Sequence, residues 1–230
     1  MSKNLFKRII TSIILLTLLI FINFGHQYVF ILSILILGTF ICFEANNLFS
    51  KLMIKFNSKK NYSLKKKFNI NFFFLNILAF SYIFFIFCNL SVEIHKSESP
   101  IFFLYIISIC FFTDIGGYVF GKIIGGKKLS KISPNKTIAG AIGSFIFSII
   151  PLIIALNFNF LDLEFNLKNI IFCLLISLIS QIGDLFISLI KRKAEIKDTG
   201  NLLPGHGGIL DRMDGIIFAV PFSYILIKLL

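Results

Sequence analysis

The sequence predicts an all-α, polytopic integral membrane protein with about seven transmembrane helices. Of its 230 residues, 57% are apolar and only 15% are charged, a composition far from that of a soluble domain. A helix needs about 20 apolar residues to cross the hydrocarbon core of a bilayer, and apolar blocks fill most of this chain. The composition therefore excludes water-soluble enzyme folds, collagen-like chains and disordered regulators.

Apolar segments separated by polar connections are the predicted spans. The first follows basic residues, as the core of a secretory signal does, but no small-residue cleavage site comes after it. We therefore expect this segment to remain in the protein as an anchor. The predicted spans are residues 5–24, 28–43, 68–90, 101–120, 138–158, 169–190 and 215–229.

Basic residues predict the orientation of these spans. Twenty of the 23 lysines and arginines lie at the N-terminus or in every second connection. The positive-inside rule places such connections in the cytoplasm, and seven spans then place the C-terminus outside. The expected cytoplasmic loops are 51–67, 121–137 and 191–214, and the expected external loops are 25–27, 91–100 and 156–168.

Acidic residues divide the chain unequally. Residues 1–110 carry three acids, whereas residues 111–230 carry eight. We therefore predict that 1–110 form N-terminal transmembrane spans and that 111–230 form a catalytic transmembrane region. Its chemistry is expected in the two cytoplasmic loops 121–137 and 191–214.

Two carboxylates, Asp114 and Asp184, follow or interrupt apolar segments. A carboxylate costs about 2.5–3.5 kcal/mol at the bilayer centre on insertion scales. On a helix, Asp184 lies on one face with Ser188 and Lys191. Gln181 begins the same polar stripe one turn earlier, so the stripe is expected to face protein or water rather than lipid. The alternative to a functional site is an interhelical hydrogen-bond network that fixes packing.

The segment 191–215 combines lysines, arginines, acids and five glycines with His206. That composition suits backbone N–H groups and cations around phosphates, with carboxylates that hold a divalent metal. Asp211 and Asp214 are three positions apart and would share one face at the start of a last helix. The lysine-rich and glycine-rich loop 121–137 is a second candidate for binding a polyanion. The alternative for both loops is a solvated connection that obeys the positive-inside rule.

Short motifs run through the second half of the chain, with SLIKR at 188–192, KD at 197–198 and LPGHGGILDRMD at 203–214. Together they resemble the signature of the phosphatidate cytidylyltransferase family, also called CDP-diacylglycerol synthases. The resemblance covers roughly residues 113–215, and Ala139 stands where the family usually has Glu. The chain is also shorter than the family's usual length by one or two N-terminal spans. Further matching segments are 114–118, 121–122, 128–130, 132–137 and 181–184.

The resemblance implies transfer of a cytidylyl group from CTP to phosphatidate, giving CDP-diacylglycerol and pyrophosphate, with Mg²⁺ as cofactor. The lipid phosphate is already a nucleophile, so the task is to bring two polyanions together with metal and cations rather than to supply a strong base. The implied metal ligands are Asp184, Asp211 and Asp214. The implied catalytic set adds Lys191, Arg192, Lys197, Asp198, His206 and Arg212, and the implied substrate-binding set is Asp114, Ser133, Lys136, Ser188, Gly207 and Gly208.

Within these sets, the lysines and arginines would neutralise the triphosphate or the lipid phosphate, and His206 would either bond a phosphate oxygen or order the loop. The implied partners are CTP, phosphatidate and the membrane, without nucleic acid, and a second copy in a homodimer. We expect a bacterial inner (plasma) membrane location, with the N-terminus and the active-site loops cytoplasmic. The alternatives are a transporter that uses Asp114 and Asp184 as relays, a related CTP-dependent lipid enzyme or kinase, and an inactive scaffold.

Overall fold

The computed structural model describes residues 3–58, 65–130, 133, 136–203, 205 and 207–229, with side chains described from Ile10 onwards except at 56–70. Regular structure in this part of the chain is helical, and the pairings outside helices are two isolated bridges. The all-α prediction is confirmed. The helices are α1 Lys3–Phe24, α2 Gln27–Ser58, α3 Lys65–Ser81, a π-helix Tyr82–Cys88, α4 Asn89–Ser97, α5 Pro100–Ile123, α6 Ile138–Phe147, α7 Ile150–Phe158, α8 Leu167–Lys193, α9 Leu210–Met213 and α10 Ile216–Leu229.

Five helical stretches in the described chain are long and apolar enough to cross a membrane. Large apolar side chains such as Phe85 and Phe186 are exposed on them, as expected for surfaces in contact with lipid. The other two predicted spans are also helical, but their described apolar parts are shorter, so the count of seven is not confirmed. The five stretches are Gln27–Lys55, Asn71–Ser97, Pro100–Ile123, Ile138–Phe158 and Leu167–Lys193.

Some helix boundaries differ from the predicted ones. Helix α2 continues past the predicted end at residue 43 because Leu48 and Met53 keep its buried face apolar beyond the apolar run. The predicted loop 51–67 therefore begins as helix. The predicted span 138–158 is divided into α6 and α7, because Pro151 lacks an N–H group and fits the first turn of a new helix.

The described chain forms two compact units. The first comprises Met1–Val92 and Ile190–Met213, and the second comprises Glu93–Leu189 and Asp214–Leu230. The segment 190–213, predicted to belong with the C-terminal spans, therefore belongs to a unit with the N-terminal spans. The predicted functional division at residue 110 stays a prediction.

Within the second unit, α5 and α6 pack along a face of small residues. A Cβ on Gly140 would lie 2.7 Å from the carbonyl oxygen of Gly117, and a Cβ on Gly143 would collide with Phe120. Ser144 Oγ also donates a hydrogen bond of 2.8 Å to the carbonyl oxygen of Thr113. Small residues allow transmembrane helices to approach until their backbones are in contact. This close approach brings the end of α5 near the start of α6, and so positions the two ends of the loop that connects them.

Candidate functional site

The segment after α8 leaves the helix through a left-handed turn. Glu195 has φ 57°, and its N–H donates to the carbonyl oxygen of Arg192 at 3.1 Å. The N–H of Ile196 donates to the carbonyl oxygen of Lys191 at 3.0 Å, which closes the end of the helix. Lys55 near the end of α2 forms an ion pair with Glu195. The start of the loop is therefore attached to α2.

Asp211 lies at the centre of the hydrogen-bond network in this loop. Its Oδ1 pairs with Lys191 Nζ at 2.8 Å, and its Oδ2 accepts from the N–H groups of Thr199 at 2.8 Å and Gly208 at 3.0 Å. The two paired side chains are 13% and 7% exposed, which is a buried ion pair. Asp211 thus joins the end of α8 to two separate parts of the loop. The N–H of Gly208, predicted to face a substrate, has an internal acceptor.

Glu44 on α2 is a functional-site neighbour that the sequence analysis did not single out. It is 1% exposed, and its Oε2 accepts from Thr199 Oγ1 at 2.9 Å and from the N–H of Leu210 at 2.8 Å. Its Oε1 accepts from the N–H of Ile209 at 3.0 Å. The signal that could have found it is a single acid at the end of an apolar run, where a charge requires compensation.

Glycines of the loop make room for these two carboxylates. A Cβ on Gly200 would lie 2.5 Å from Glu44 Oε1, and a Cβ on Gly208 would collide with Glu44 Oε2. Gly207 has φ 83° and approaches Asp211, so it combines a left-handed backbone with a close contact. A bridge between Leu203 and Gly207 closes the tip of the loop. His206 lies outside the described residues, so its role stays a prediction.

The remaining charged residues of the loop face outwards. Lys191 is largely buried against Asp211, whereas the other charged side chains of the segment 191–213 are exposed. The exposed charged residues are Arg192, Lys193, Glu195, Lys197, Asp198 and Arg212. The loop therefore has a backbone organised by buried carboxylates and a surface that carries four cations and two acids, which suits a polyanionic ligand.

In the second unit, Asp184 forms an ion pair with Lys136. The exposed fractions of the two side chains are 22% and 31%, and Ser188 Oγ donates to Asp184 Oδ1 at 3.3 Å. Gln181 on the same helix donates to Ser177 Oγ at 3.3 Å. The predicted polar stripe thus lies on one continuous helix, α8, and the substrate-binding prediction for Lys136 and the metal prediction for Asp184 fall on two residues in contact.

Lys136 is placed by the folded ends of the loop between α5 and α6. The N–H of Leu129 donates to the carbonyl oxygen of Lys136 at 2.8 Å, and Lys128 bridges to Thr137. Thr137 then caps α6 by accepting the N–H of Gly140 at 3.0 Å. Ser133 lies in this loop, where its carbonyl oxygen accepts the N–H of Lys136 at 3.1 Å.

The last two predicted acids lie in different surroundings. Asp114 is an exposed residue on α5. Asp214 lies between α9 and α10, where a Cβ on Gly183 would lie 2.8 Å from its carbonyl oxygen, and its Oδ1 accepts the N–H of Gly215. The expectation that Asp211 and Asp214 begin the last helix is corrected, because that helix begins at Ile216 and Asp211 lies in the separate turn α9.

Metal ligands were predicted at Asp184, Asp211 and Asp214. Among the described residues, no group of three or more His, Cys, Asp or Glu side chains is arranged to hold a metal ion. Mg²⁺ commonly takes one or two carboxylates and completes its shell with water and substrate phosphates. Asp184 offers such a carboxylate in a partly exposed position, whereas both oxygens of Asp211 already accept protein donors.

Comparison with known proteins assigns the chain to a family. The sequence profile of the Cytidylyltransferase family matches residues 46–230. A phosphatidate cytidylyltransferase of Staphylococcus haemolyticus is 42% identical over 136 residues, and one of Staphylococcus aureus is 44% identical over 136 residues. Each alignment covers 57% of this chain and 51% of the relative, so the chain spans about half the length of these curated relatives. Because the family profile covers most of the sequence, the chain belongs to the cytidylyltransferase family.

Proposed function

We propose that this protein transfers a cytidylyl group from CTP to phosphatidate, forming CDP-diacylglycerol and pyrophosphate in a bacterial plasma membrane. A phosphate oxygen of phosphatidate attacks the α-phosphorus of CTP. The bond from that phosphorus to the oxygen bridging to the β-phosphate breaks, and pyrophosphate leaves. The carrying observation is the cation-bearing loop 191–213 in a membrane protein of the cytidylyltransferase family. The names of the staphylococcal relatives support phosphatidate as the acceptor.

The loop suits the triphosphate of CTP. Its exposed cations Arg192, Lys197 and Arg212 offer charge to phosphate oxygens, and Arg does so with a planar fork of donors. The buried carboxylates of Asp211 and Glu44 hold the backbone of this loop in place. Binding of CTP therefore requires little further ordering of the backbone that carries the cations. We assign Arg192, Lys197 and Arg212 to the nucleotide. CTP is a cytosolic nucleotide, which supports the predicted cytoplasmic side for this loop.

Magnesium is part of this proposal. The donor chemistry of Asp184 fits, because a partly exposed carboxylate is the hard oxygen ligand that Mg²⁺ prefers. Bound there, the ion would neutralise phosphate charge and align the reacting phosphates. Lys136, which contacts Asp184 in the structure, is then expected to turn to a phosphate oxygen. Asp214 remains a predicted second ligand, and the homodimer also stays a prediction.

Radiolabelled CTP tests the reaction. Purified, detergent-solubilised protein is mixed with Mg²⁺ and either phosphatidate or diacylglycerol, and CTP carries the label on the α- or on the γ-phosphate. We expect the α-label to enter the lipid only with phosphatidate, while the γ-label is released as pyrophosphate. Entry of the γ-label into diacylglycerol would identify a lipid kinase instead, and no transfer from folded protein would refute the proposal.

A matched pair of variants tests the role of Asp184. Asp184→Asn removes the proposed metal ligand, while Asp162→Asn changes an exposed acid in the connection before α8. We expect the first variant to lose at least 99% of the transfer, on the order of the losses seen when charge stabilisation is removed from an active site. The second is expected to keep the wild-type rate. Equal rates in the two variants would contradict the assignment.

A further inference from the structure

The buried carboxylate of Glu44 is separated by 155 or more positions from each of its three hydrogen-bond donors. It lies on α2, two positions before the first residue matched by the family profile. The donors lie at the two ends of the segment 199–210. Thr199 is at its start, and Ile209 and Leu210 are at its end. The Glu44 carboxylate thus joins the two ends of the segment 199–210.

Asp211 binds the same two ends of the segment 199–210. Both carboxylates contact Thr199, Glu44 through its hydroxyl and Asp211 through its backbone N–H. Both carboxylates also accept hydrogen bonds from backbone N–H groups of residues 208–210. The two acids together therefore hold the start and the end of the segment 199–210 close to each other, which we call the base of the loop. Lys197 and Arg212 flank this base and are exposed. The spacing between these two cations therefore depends on the closure.

We infer that Glu44 is a positioning residue for nucleotide binding, which acts by closing the base of the loop that carries Lys197 and Arg212. This inference rests on the proposed function for its ligand, CTP. The residue does not need to touch the substrate, because it is 1% exposed and its oxygens are engaged by the loop. It acts through the backbone, as an acceptor placed on a membrane helix.

An amide cannot replace this carboxylate. The N–H groups of Ile209 and Leu210 donate to different oxygens of Glu44, so in Glu44→Gln one of them faces an NH₂ group whichever way the amide is turned. Glu44→Asp keeps two acceptor oxygens but is shorter by one methylene. Thr199→Val removes a single donor and keeps the shape of the side chain. These variants differ in how many loop contacts they remove.

Hydrogen exchange measured by mass spectrometry on the full chain in detergent tests the closure without reference to activity. We expect Glu44→Gln to accelerate amide exchange in 199–210 roughly tenfold or more, the factor that corresponds to one lost hydrogen bond to a charged group. Exchange in α5 and α6 is expected to stay unchanged. Glu44→Asp should fall between Glu44→Gln and wild type, and Glu93→Gln, at an exposed acid of α4, should match wild type. Unchanged exchange in 199–210, or equal acceleration everywhere, would overturn the inference.

Kinetics test the positioning role. We expect Glu44→Gln to raise the KM for CTP roughly tenfold while the KM for phosphatidate is unchanged. Thr199→Val should raise the KM for CTP less than Glu44→Gln does, because it removes one donor and leaves the carboxylate with its two backbone donors. A wild-type KM for CTP in Glu44→Gln would overturn the inference. If the wild-type protein transfers no cytidylyl group, the proposed function fails, and the exchange experiment still decides whether Glu44 closes the loop.

Discussion

The ammonium group of Lys136 contacts a carboxylate oxygen of Asp184, although 48 positions separate the two residues. Backbone hydrogen bonds between the ends of a loop fix the position of Lys136, and helix α8 fixes the position of Asp184. Both side chains are less than a third exposed. The pair therefore links the loop before α6 to α8 within one compact unit.

This pairing predicts energetic coupling between the two residues. Lys136→Met and Asp184→Asn should each lower the free energy of unfolding, and the double variant should be more stable than the sum of the two losses predicts, by about 1 kcal/mol. The reason is that each single variant leaves one partly buried charge without the opposite charge beside it. Thermal unfolding of the four proteins in one detergent measures the coupling. Additive losses would show that the two side chains do not interact.

Removal of the buried acid in the loop should be far more costly than removal of an exposed one. Asp211→Asn disrupts a buried ion pair and leaves Lys191 without its carboxylate, which costs about 3–5 kcal/mol. Asp198→Asn, at an exposed acid in the same loop, should change the stability by less than about 0.5 kcal/mol. Denaturation midpoints compare the two, and similar midpoints would contradict the network described around Asp211.

An exposed cation assigned to the triphosphate should affect binding of CTP in a salt-dependent way. Lys197→Gln is expected to raise the KM for CTP several-fold at low salt, and the difference from wild type should shrink as KCl screens the charge. Lys168→Gln, at an exposed lysine in the first turn of α8, serves as the control and should leave the KM unchanged. A salt-independent effect of Lys197→Gln would point to packing instead of charge.

Cysteine labelling can determine the predicted orientation. In a background where the four native cysteines are replaced by alanine, Asp162→Cys should react with an impermeant maleimide on intact cells. Lys193→Cys should react only after the membrane is opened, because its loop is predicted to be cytoplasmic. Both positions are exposed, so access does not limit either reaction. Labelling of Lys193→Cys in intact cells would reverse the orientation.

Local pattern predicted the helices better than the contacts between them. Hydropathy alone located the apolar segments, since burial in lipid requires long apolar runs. It failed at the end of α2, where residues 44–58 form an amphipathic helix in which polar residues interrupt the apolar run. The motif located the loop and Asp211, but not Glu44, whose donors lie 155 and more positions away. A contact of that range depends on tertiary structure and leaves no periodic signal.

The glycine face between α5 and α6 makes the packing of each helix depend on the other. Without α6, the groove at Gly116 and Gly117 would expose the backbone of α5 to lipid. Helix α6 has a complementary groove at Gly140 and Gly143. Neither helix can fill its own groove, since a side chain there would prevent the pair from meeting. The two helices therefore reach this close packing only together, as a hairpin, and a larger side chain on either one would separate both.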